Sequence, residues 1–270
     1  MSPSSKRAAQ RSRSSEKLMP FDLAGLRSEL PGRQIEWHSV IGSTMTEASR
    51  LAALGCASGT IVGAEEQTAG KGRLGRTWHS GPGAGLYVSI ILRYPFQPSA
   101  RPVVTLALGL ATCEAIQKAT GIVCDLRWPN DVLIQSRKCA GILTELDGPA
   151  ILAGIGINVN HTSFPEELSA TATSLRMLTG RLQSREKLLV ELARSVDGFC
   201  RLLEREGREP ILRMFSSASS YVSGRRVQVD AGDSVLRGTT AGLNHAGFLI
   251  LRQDDGRESV ILAGGVRPCS

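Results

Sequence analysis

Four short apolar runs follow one another between Leu126 and Val159, and only turn residues separate them. The runs cover residues 126–128, 132–134, 139–146 and 151–159. Strands that follow one another without intervening helices tend to pair as neighbours in one sheet. The block therefore predicts an α+β fold built on a mixed β-sheet, rather than a parallel sheet of alternating βαβ units.

Helical patterns flank this block on both sides. Thr44 and Glu47 have the spacing of a capping box at the start of a helix. Residues 102–119 form a long apolar run of helical length, and Ser184 is a predicted N-cap for a further helix with one apolar face. We therefore expect a main domain with flanking helices at residues 20–222.

The composition changes after about residue 223, where short strands alternate with turns such as Asn244 to Gly247 and Asp255-Gly256. An Asp-Gly pair between apolar runs is a strong hairpin signal. This final segment, residues 223–270, is predicted to form a small β-barrel.

Positive charge is concentrated at the N-terminus. The formal net charge is +7, and residues 1–17 contribute +4 through three arginines and two lysines against one glutamate. This segment is rich in serine and has few apolar residues, which predicts a disordered basic tail. A role in binding nucleic acid would rest on that tail alone, without a groove-reading helix or an aromatic stacking platform, so we expect no nucleic-acid partner.

The cysteines and the apolar runs indicate the compartment. The six cysteines form no Cys-x-x-Cys pair, and a chain of 270 residues needs no disulfide framework. No apolar run reaches the roughly 18 residues of a membrane span, and the N-terminus lacks the apolar core of a secretion signal. The four histidines show no metal-ligand spacing. We expect a cytoplasmic protein with reduced thiols and no membrane partner.

The segment from Gln67 to Arg76, called the glycine-cation loop below, interleaves three glycines with three cations. Glycines let backbone N–H groups approach a ligand closely, and cations neutralise it. The loop follows a predicted strand at residues 60–65, and no Asp or Glu occurs from Gln67 to Cys113. The ligand is therefore expected to be an anion such as a phosphate.

Two common phosphate motifs do not fit this loop. Its glycines spell Gly-x-Gly-x-x-Gly, but neither a helix start nor an acidic residue about 20 positions later follows, as a dinucleotide fingerprint requires. The Walker pattern fails because Gly63 is too far from the Gly70-Lys71 pair and Gly72 replaces the Ser or Thr that holds magnesium. Simple mononucleotide folds are therefore disfavoured.

Three clusters occur in order along the main domain. They are the glycine-cation loop with Trp78, residues 127–131 with Lys138, and residues 154–160. Their joint order and spacing closely resemble the biotin protein ligases over residues 39–267. The fold implied by the resemblance is a class II synthetase-like catalytic domain followed by a small SH3-like β-barrel.

The resemblance implies a two-step reaction. The carboxylate of biotin attacks the α-phosphate of ATP, which gives biotinyl-5′-AMP and pyrophosphate, and a lysine of a biotin carboxyl carrier protein then takes the biotinyl group. The first step brings two anions together, so it needs fixed cations and N–H donors where charge accumulates. The loop and Lys138 supply these groups, and the loop is expected to order over the reactive intermediate.

The resemblance also assigns site residues, of which Lys138, Arg73 and Asp131 are expected to be catalytic. Lys138 would bridge the biotin carboxylate and the α-phosphate, and Arg73 would order the loop and retain the adenylate. The residues expected at biotin are Ser43, Thr44, Met45, Gln67, Gly70, Lys71, Gly72, Arg73, Lys138, Gly141, Gly154 and Gly156. Those expected at ATP are Arg73, Arg76, Trp78, Asn130, Asp131, Lys138 and Asn158.

Some assignments stay open. Met45 stands where the family usually has Asn, and Lys71 stands where many members have Arg, which keeps the charge but loses the bidentate fork. Asp131 is expected either to hold the magnesium that accompanies ATP or to take a proton from the incoming lysine. Family members occur as monomers or homodimers, and both states remain open here.

Two alternatives are considered, one a related enzyme and the other a transcriptional repressor. Lipoate ligases and octanoyltransferases belong to the same superfamily, and the glycine-cation loop and the C-terminal strands favour biotin over them. A biotin-sensing transcriptional repressor would need a helix-turn-helix module before the catalytic domain. About 38 residues precede the match at Ser39, so we expect a ligase without a DNA-binding module.

Overall fold

The computed structural model describes residues 20–95, 98–230 and 235–269. The predicted basic tail at residues 1–17 lies outside the described residues. The first sheet contains β1 (Ile35–His38), β2 (Ile61–Ala64), β3 (Gly85–Leu92), β4 (Asp125–Arg127), β5 (Asp131–Ile134), β6 (Arg137–Asp147) and β7 (Ala150–Asn158). The α-helices are α1 (Leu23–Glu29), α2 (Thr44–Ala53), α3 (Arg101–Thr120), α4 (Glu166–Ser169), α5 (Leu175–Thr179), α6 (Arg185–Glu206) and α7 (Arg208–Ala218).

The first sheet is mixed, with the strand order β1-β2-β3-β7-β6-β5-β4. β1 and β2 are parallel, and all the other neighbouring strands are antiparallel. The strands predicted between residues 126 and 159 are β4 to β7, and each pairs with the next one in the chain. The predicted α+β fold with a mixed sheet and flanking helices is confirmed.

Helices cover both faces of this sheet, as the alternation along β3 demonstrates. Leu86, Val88 and Ile90 belong to the large core that α3 and α6 share with the sheet. Ile91 belongs instead to a smaller core with Met45 and other residues of α2. Because successive side chains of a strand point to opposite faces, the α2 face also carries the odd-numbered β3 residues that precede Ile91. The candidate site lies on this face, beside the start of α2.

The C-terminal residues form a second sheet. Its strands are β8 (Ser223–Asp230), β9 (Val235–Leu243), β10 (Leu249–Gln253), β11 (Glu258–Ile261) and β12 (Gly265–Pro268). They are antiparallel in the order β11-β10-β9-β8-β12, so β11 and β12 lie at opposite edges. The strand pairs of the described residues do not close a barrel, and the expected SH3-like barrel is not confirmed in that detail.

The helix boundaries test the sequence signals. Ser184 caps α6 as predicted, because its hydroxyl accepts a hydrogen bond from the backbone N–H of Lys187. The capping box predicted at Thr44 is wrong, since Ser43 is the N-cap of α2 and makes no side-chain cap bond. None of the helices in the described part of the chain combines the length and the apolar composition that spanning a bilayer requires.

Candidate active site

Glycines form the floor of the site on the α2 face of the sheet. Gly141 of β6 and Gly156 of β7 are directly paired, and Gly154 lies two residues away on β7. A Cβ atom on Gly156 would come within 2.4 Å of Cε2 of Trp78, and one on Gly154 within 2.8 Å of Sδ of Met45. At Gly156 the rigid indole leaves no room for a Cβ, whereas at Gly154 the flexible end of Met45 would have to move.

A β-bulge turns Lys138 towards this floor. The tight turn between β5 and β6 has positive φ at Gln135 and Ser136, so Lys138 lies in β6 and not in the turn. The register shifts between Val132 and Leu133, which leaves Cys139 as the extra residue of β6. A bulge re-aims a side chain by breaking the alternation of faces. Lys138 therefore shares the face of Gly141, where a Cβ would lie 3.1 Å from its Cε.

Asp131, the first residue of β5, neutralises Lys138. One carboxylate oxygen lies 2.5 Å from Nζ of Lys138, and the other accepts a hydrogen bond of 2.7 Å from Nη2 of Arg127. Burial acts to raise the pKa of Asp131, but the charges of Lys138 and Arg127 outweigh it, and the net pKa is lowered. The carboxylate is therefore held in its charged form between two cations.

The glycine-cation loop folds back over the glycine floor. Gly72 N–H donates to the carbonyl of Arg76 at 2.7 Å, and Leu74 takes a left-handed conformation with φ of 56° at the tip. Nη1 of Arg73 donates to Oδ1 of Asn130 at 3.0 Å, and burial lowers the pKa of Arg73. The ring of Trp78 lies over the floor, with its centroid 5.3 Å from Nζ of Lys138. The loop and Trp78, which follows it, thus bring cations and an aromatic ring onto the sheet.

A hydrogen-bond relay joins the start of α2 to the loop. Oγ of Ser89, on β3, donates to Oγ1 of Thr44 at 2.8 Å. The backbone N–H and the hydroxyl of Thr44 both donate to Oε1 of Gln67, at 2.8 and 3.1 Å. Nε2 of Gln67 then donates to Ser80 at 2.9 Å, and Ser80 donates to the carbonyl of Trp78 at 3.2 Å. Thr44 is itself the first residue of α2, with Ser43 at the N-cap position, and its hydroxyl takes part in this relay.

Two cavities that share part of their lining lie over these residues. The first has a volume of about 50 Å³, and all the residues expected at biotin line it except Ser43 and Gly70. The second has a volume of about 450 Å³, and every residue expected at ATP lines it. Both cavities share Gly72, Arg73, Trp78, Asn130 and Lys138. The ring of Trp78 lies on the floor at Gly156 and narrows the first cavity.

Two expected site residues lie just outside the first cavity. Ser43 is buried next to Thr44, and its Oγ has no hydrogen-bond partner among the described residues. Gly70 is buried within the loop, where a Cβ would lie 2.5 Å from the carbonyl oxygen of Trp78. Gly70 therefore has a clear packing reason to be glycine, because a side chain would push the loop away from Trp78.

The sequence reasoning missed several residues that the fold brings to the site. Tyr87 and Ser89 lie on β3 beside the glycine floor, and their alternation with apolar residues was the available signal. Arg127 was in a recognised cluster but had no assigned role. The second cavity is also lined by Leu168 and its neighbours and by residues 264–267 of the second sheet. No local pattern indicates these last segments, because only tertiary packing brings them to the cavity.

Comparison with known proteins gives the family. Residues 37–161 match the biotin/lipoate A/B protein ligase family, and residues 222–264 match the biotin protein ligase C-terminal domain. The biotin--[acetyl-CoA-carboxylase] ligase of Mycobacterium tuberculosis is 33% identical over 257 residues, which are 91% of this chain and 94% of that protein. The chain belongs to the biotin protein ligase family. It is therefore a ligase, as the sequence predicts.

Two further similarities support the assignment of the ligase. The bifunctional ligase/repressor BirA of Bacillus subtilis is 33% identical over 246 residues, which are 88% of this chain and 75% of that protein. The biotin protein ligase from Aquifex aeolicus, solved in complex with biotin and ATP, superposes with a TM-score of 0.77 and 31% identity. That match covers 87% of this chain and 99% of the Aquifex chain, so it includes both sheets.

Proposed function

We propose that this ligase joins biotin to AMP at the expense of ATP and then transfers the biotinyl group to a lysine of a biotin carboxyl carrier protein. The observation that carries the proposal is that Lys138, Arg73 and Asn130 line both cavities. An adenylation needs two ligands whose reacting groups meet at one place, with fixed cations there. The shared wall of the two cavities has this arrangement.

The hydrogen-bond relay supports biotin as the occupant of the first cavity. Oγ1 of Thr44 accepts from Ser89 and donates to Gln67, which leaves one lone pair free. Nε2 of Gln67 gives one hydrogen to Ser80, which leaves one N–H free. A ureido group offers an N–H and a C=O that complement this acceptor and donor. The dithiolane ring of lipoate offers neither, so it would leave both protein groups unpaired.

In the first step, a carboxylate oxygen of biotin forms a bond to the α-phosphorus of ATP. The bond from that phosphorus to the oxygen bridging to the β-phosphate breaks, and pyrophosphate leaves. Lys138 stabilises the charge that builds up between the two anions, and Arg73 approaches the same place from the loop. Arg76 lines the second cavity but not the first, which suits a contact with the departing phosphates.

The expected magnesium does not fit a site on Asp131 as the side chains are arranged. Both carboxylate oxygens are bonded to cations, namely Lys138 and Arg127. Among the described residues, the one group of three carboxylate or imidazole side chains close enough to share a metal ion is Glu36, His38 and Glu47, which does not include Asp131. We therefore propose that magnesium enters on the phosphates of ATP, and that Asp131 orients Lys138.

In the second step, the amine of the carrier lysine attacks the carbonyl carbon of the mixed anhydride and gives up a proton to water. The bond from that carbon to the phosphate oxygen breaks, and AMP leaves. Asp131 is a weak proton acceptor while Lys138 and Arg127 are bound to it, because its pKa is lowered. We expect the reaction to take place in the cytoplasm, where ATP and the carrier protein are both available.

The test is pyrophosphate exchange into ATP, measured with biotin and with lipoate, followed by transfer to a carrier domain. We expect exchange and labelling with biotin alone. Lys138→Met should abolish exchange, whereas Lys118→Met, a matched change at an exposed lysine of α3, should leave it unchanged. Exchange supported by lipoate but not by biotin would overturn the proposal.

A further inference from the structure

We propose that Asn130 is a positioning residue that holds Arg73, and with it the glycine-cation loop, over the bound intermediate. The sequence gives Asn130 a direct contact with ATP, but the structure suggests that it acts through Arg73. The release of biotinyl-AMP, as a measure of this role, rests on the proposed function. The contact between Asn130 and Arg73 and its effect on the loop do not depend on that function.

Asn130 is anchored to the sheet by both its main chain and its side chain. Nδ2 donates to the carbonyl of Ile142 at 2.9 Å, and the backbone N–H of Ile142 donates to the carbonyl of Asn130 at 2.9 Å. These bonds fix the orientation of the amide, because the side-chain nitrogen has to face β6. Oδ1 therefore faces the loop, where it accepts the hydrogen bond from Arg73 at 3.0 Å.

The partner of a half-buried guanidinium decides how firmly the loop is held. Arg73 is removed from water far enough for burial to lower its pKa, and Asn130 is the hydrogen-bond acceptor that the structure gives its side chain. A half-buried charge that lost this partner would turn towards solvent and loosen the loop. Since Asn130 is neutral, the bond is weaker than an ion pair and adds no negative charge beside the phosphates. A neutral acceptor thus permits the loop to open for substrates and close over the adenylate.

The decisive experiment is a double-mutant cycle on the release of biotinyl-AMP from preloaded protein and on labelling of bystander lysines. We expect Asn130→Ala and Arg73→Gly each to speed release by about tenfold or more, the loss of one charge-assisted hydrogen bond. The double variant should release no faster than Arg73→Gly. If the two single increases in release rate multiply in the double variant, Asn130 acts on the adenylate independently of Arg73. That result would overturn the proposal.

Hydrogen exchange of residues 68–77 in the ligand-free protein tests the contact without any reaction. Asn130→Ala should raise exchange in this segment. Asn160→Ala is the matched control. The side-chain amide of Asn160 is buried, and both its nitrogen and its oxygen form hydrogen bonds with the backbone of Gln183, away from the loop. This variant should leave exchange in residues 68–77 unchanged. An unchanged loop in folded Asn130→Ala would overturn the proposal. Failure of the wild-type protein to form an adenylate would count against the proposed function instead.

Asn130→Asp separates positioning from general damage to the fold. The aspartate keeps an acceptor for Arg73, so retention of the adenylate should return to within about threefold of wild type. Its negative charge lies where two anions meet, so the rate of adenylate formation should fall by about tenfold or more. If Asn130→Asp releases the adenylate as fast as Asn130→Ala, the acceptor for Arg73 is not what matters and the proposal is overturned.

Discussion

The carboxylate of Asp131 lies 2.5 Å from the ammonium group of Lys138, although the two residues belong to neighbouring strands separated by a tight turn. A bulge at Cys139 brings Lys138 to the face on which Asp131 and Gly141 are paired. The same carboxylate also binds Arg127. The lysine proposed for catalysis is therefore held in place by the protein's own side chains, which lowers the cost of organising the site.

Removing this carboxylate should slow adenylate formation. In Asp131→Asn, Lys138 loses its charged partner and its fixed position, so we expect the rate of pyrophosphate exchange to fall by about tenfold or more. Asp125→Asn is a suitable control, since Asp125 lies on the adjacent strand and binds Ser220 rather than a cavity residue. An exchange rate in Asp131→Asn within twofold of wild type would contradict the positioning role.

A methyl group on the cavity floor should block the ligand. The Cβ of Gly156→Ala would lie 2.4 Å from Trp78, so the ring or the strand has to move. We expect the dissociation constant for biotin, measured by calorimetry, to rise by about tenfold or more, which corresponds to about 1.4 kcal/mol. In Gly198→Ala the new methyl group meets no atom within 4 Å apart from the nearby backbone of α6 itself, so biotin binding should not change. Equal affinities of the two variants for biotin would contradict the position of biotin on this glycine floor.

The relay from β3 should matter for biotin binding although Ser89 is fully buried. Ser89→Ala removes the hydroxyl that donates to Oγ1 of Thr44. The hydroxyl of Thr44 can then rotate away from Gln67. We expect weaker biotin binding by about fivefold to tenfold, the value of one buried hydrogen bond. Ser195→Ala removes a buried hydroxyl that has no partner among the described residues and should leave affinity unchanged. If Ser89→Ala binds biotin as tightly as the wild type, the relay does not contribute to biotin binding.

His161 should make stability depend on pH. Burial lowers the pKa of His161 to about 4 from 6.5, so the unfolded chain takes up a proton on acidification before the folded chain does. Stability due to this group is therefore present above the unfolded pKa and is lost as pH falls from 6.5 towards 4.

Urea unfolding at about pH 7 and about pH 5 measures this loss, which should be about 2 kcal/mol for His161 alone. His161→Gln should remove that part of the pH dependence. His245→Gln, at an exposed turn position, should keep the wild-type dependence. The same pH dependence in all three proteins would show that His161 titrates equally in both states.

Local sequence patterns predicted the elements that have strong signals. The consecutive strands β4 to β7 and the N-cap at Ser184 were predicted because turn residues and caps act over a few positions. The short β1 and the edge strand β12 were missed because neither contains the apolar run that marks β2 and β5, which are equally short. The start of α2 was misassigned by one residue because Ser43 and Thr44 are both residue types that cap helices, and Ser43 takes the N-cap position.

The sequence by itself determined the strand order of the central block, the glycine-cation loop and the family, because these depend on residue types and spacings along the chain. Only the tertiary structure decided what the side chains do. The bulge that aims Lys138, the pairing of Gly141 with Gly156, and the bond from Arg73 to Asn130 depend on register and on contacts across 57 positions of the chain. Residues 264–267 reach the second cavity for the same reason. Packing between distant segments has no local signal, so it becomes visible only in the folded molecule.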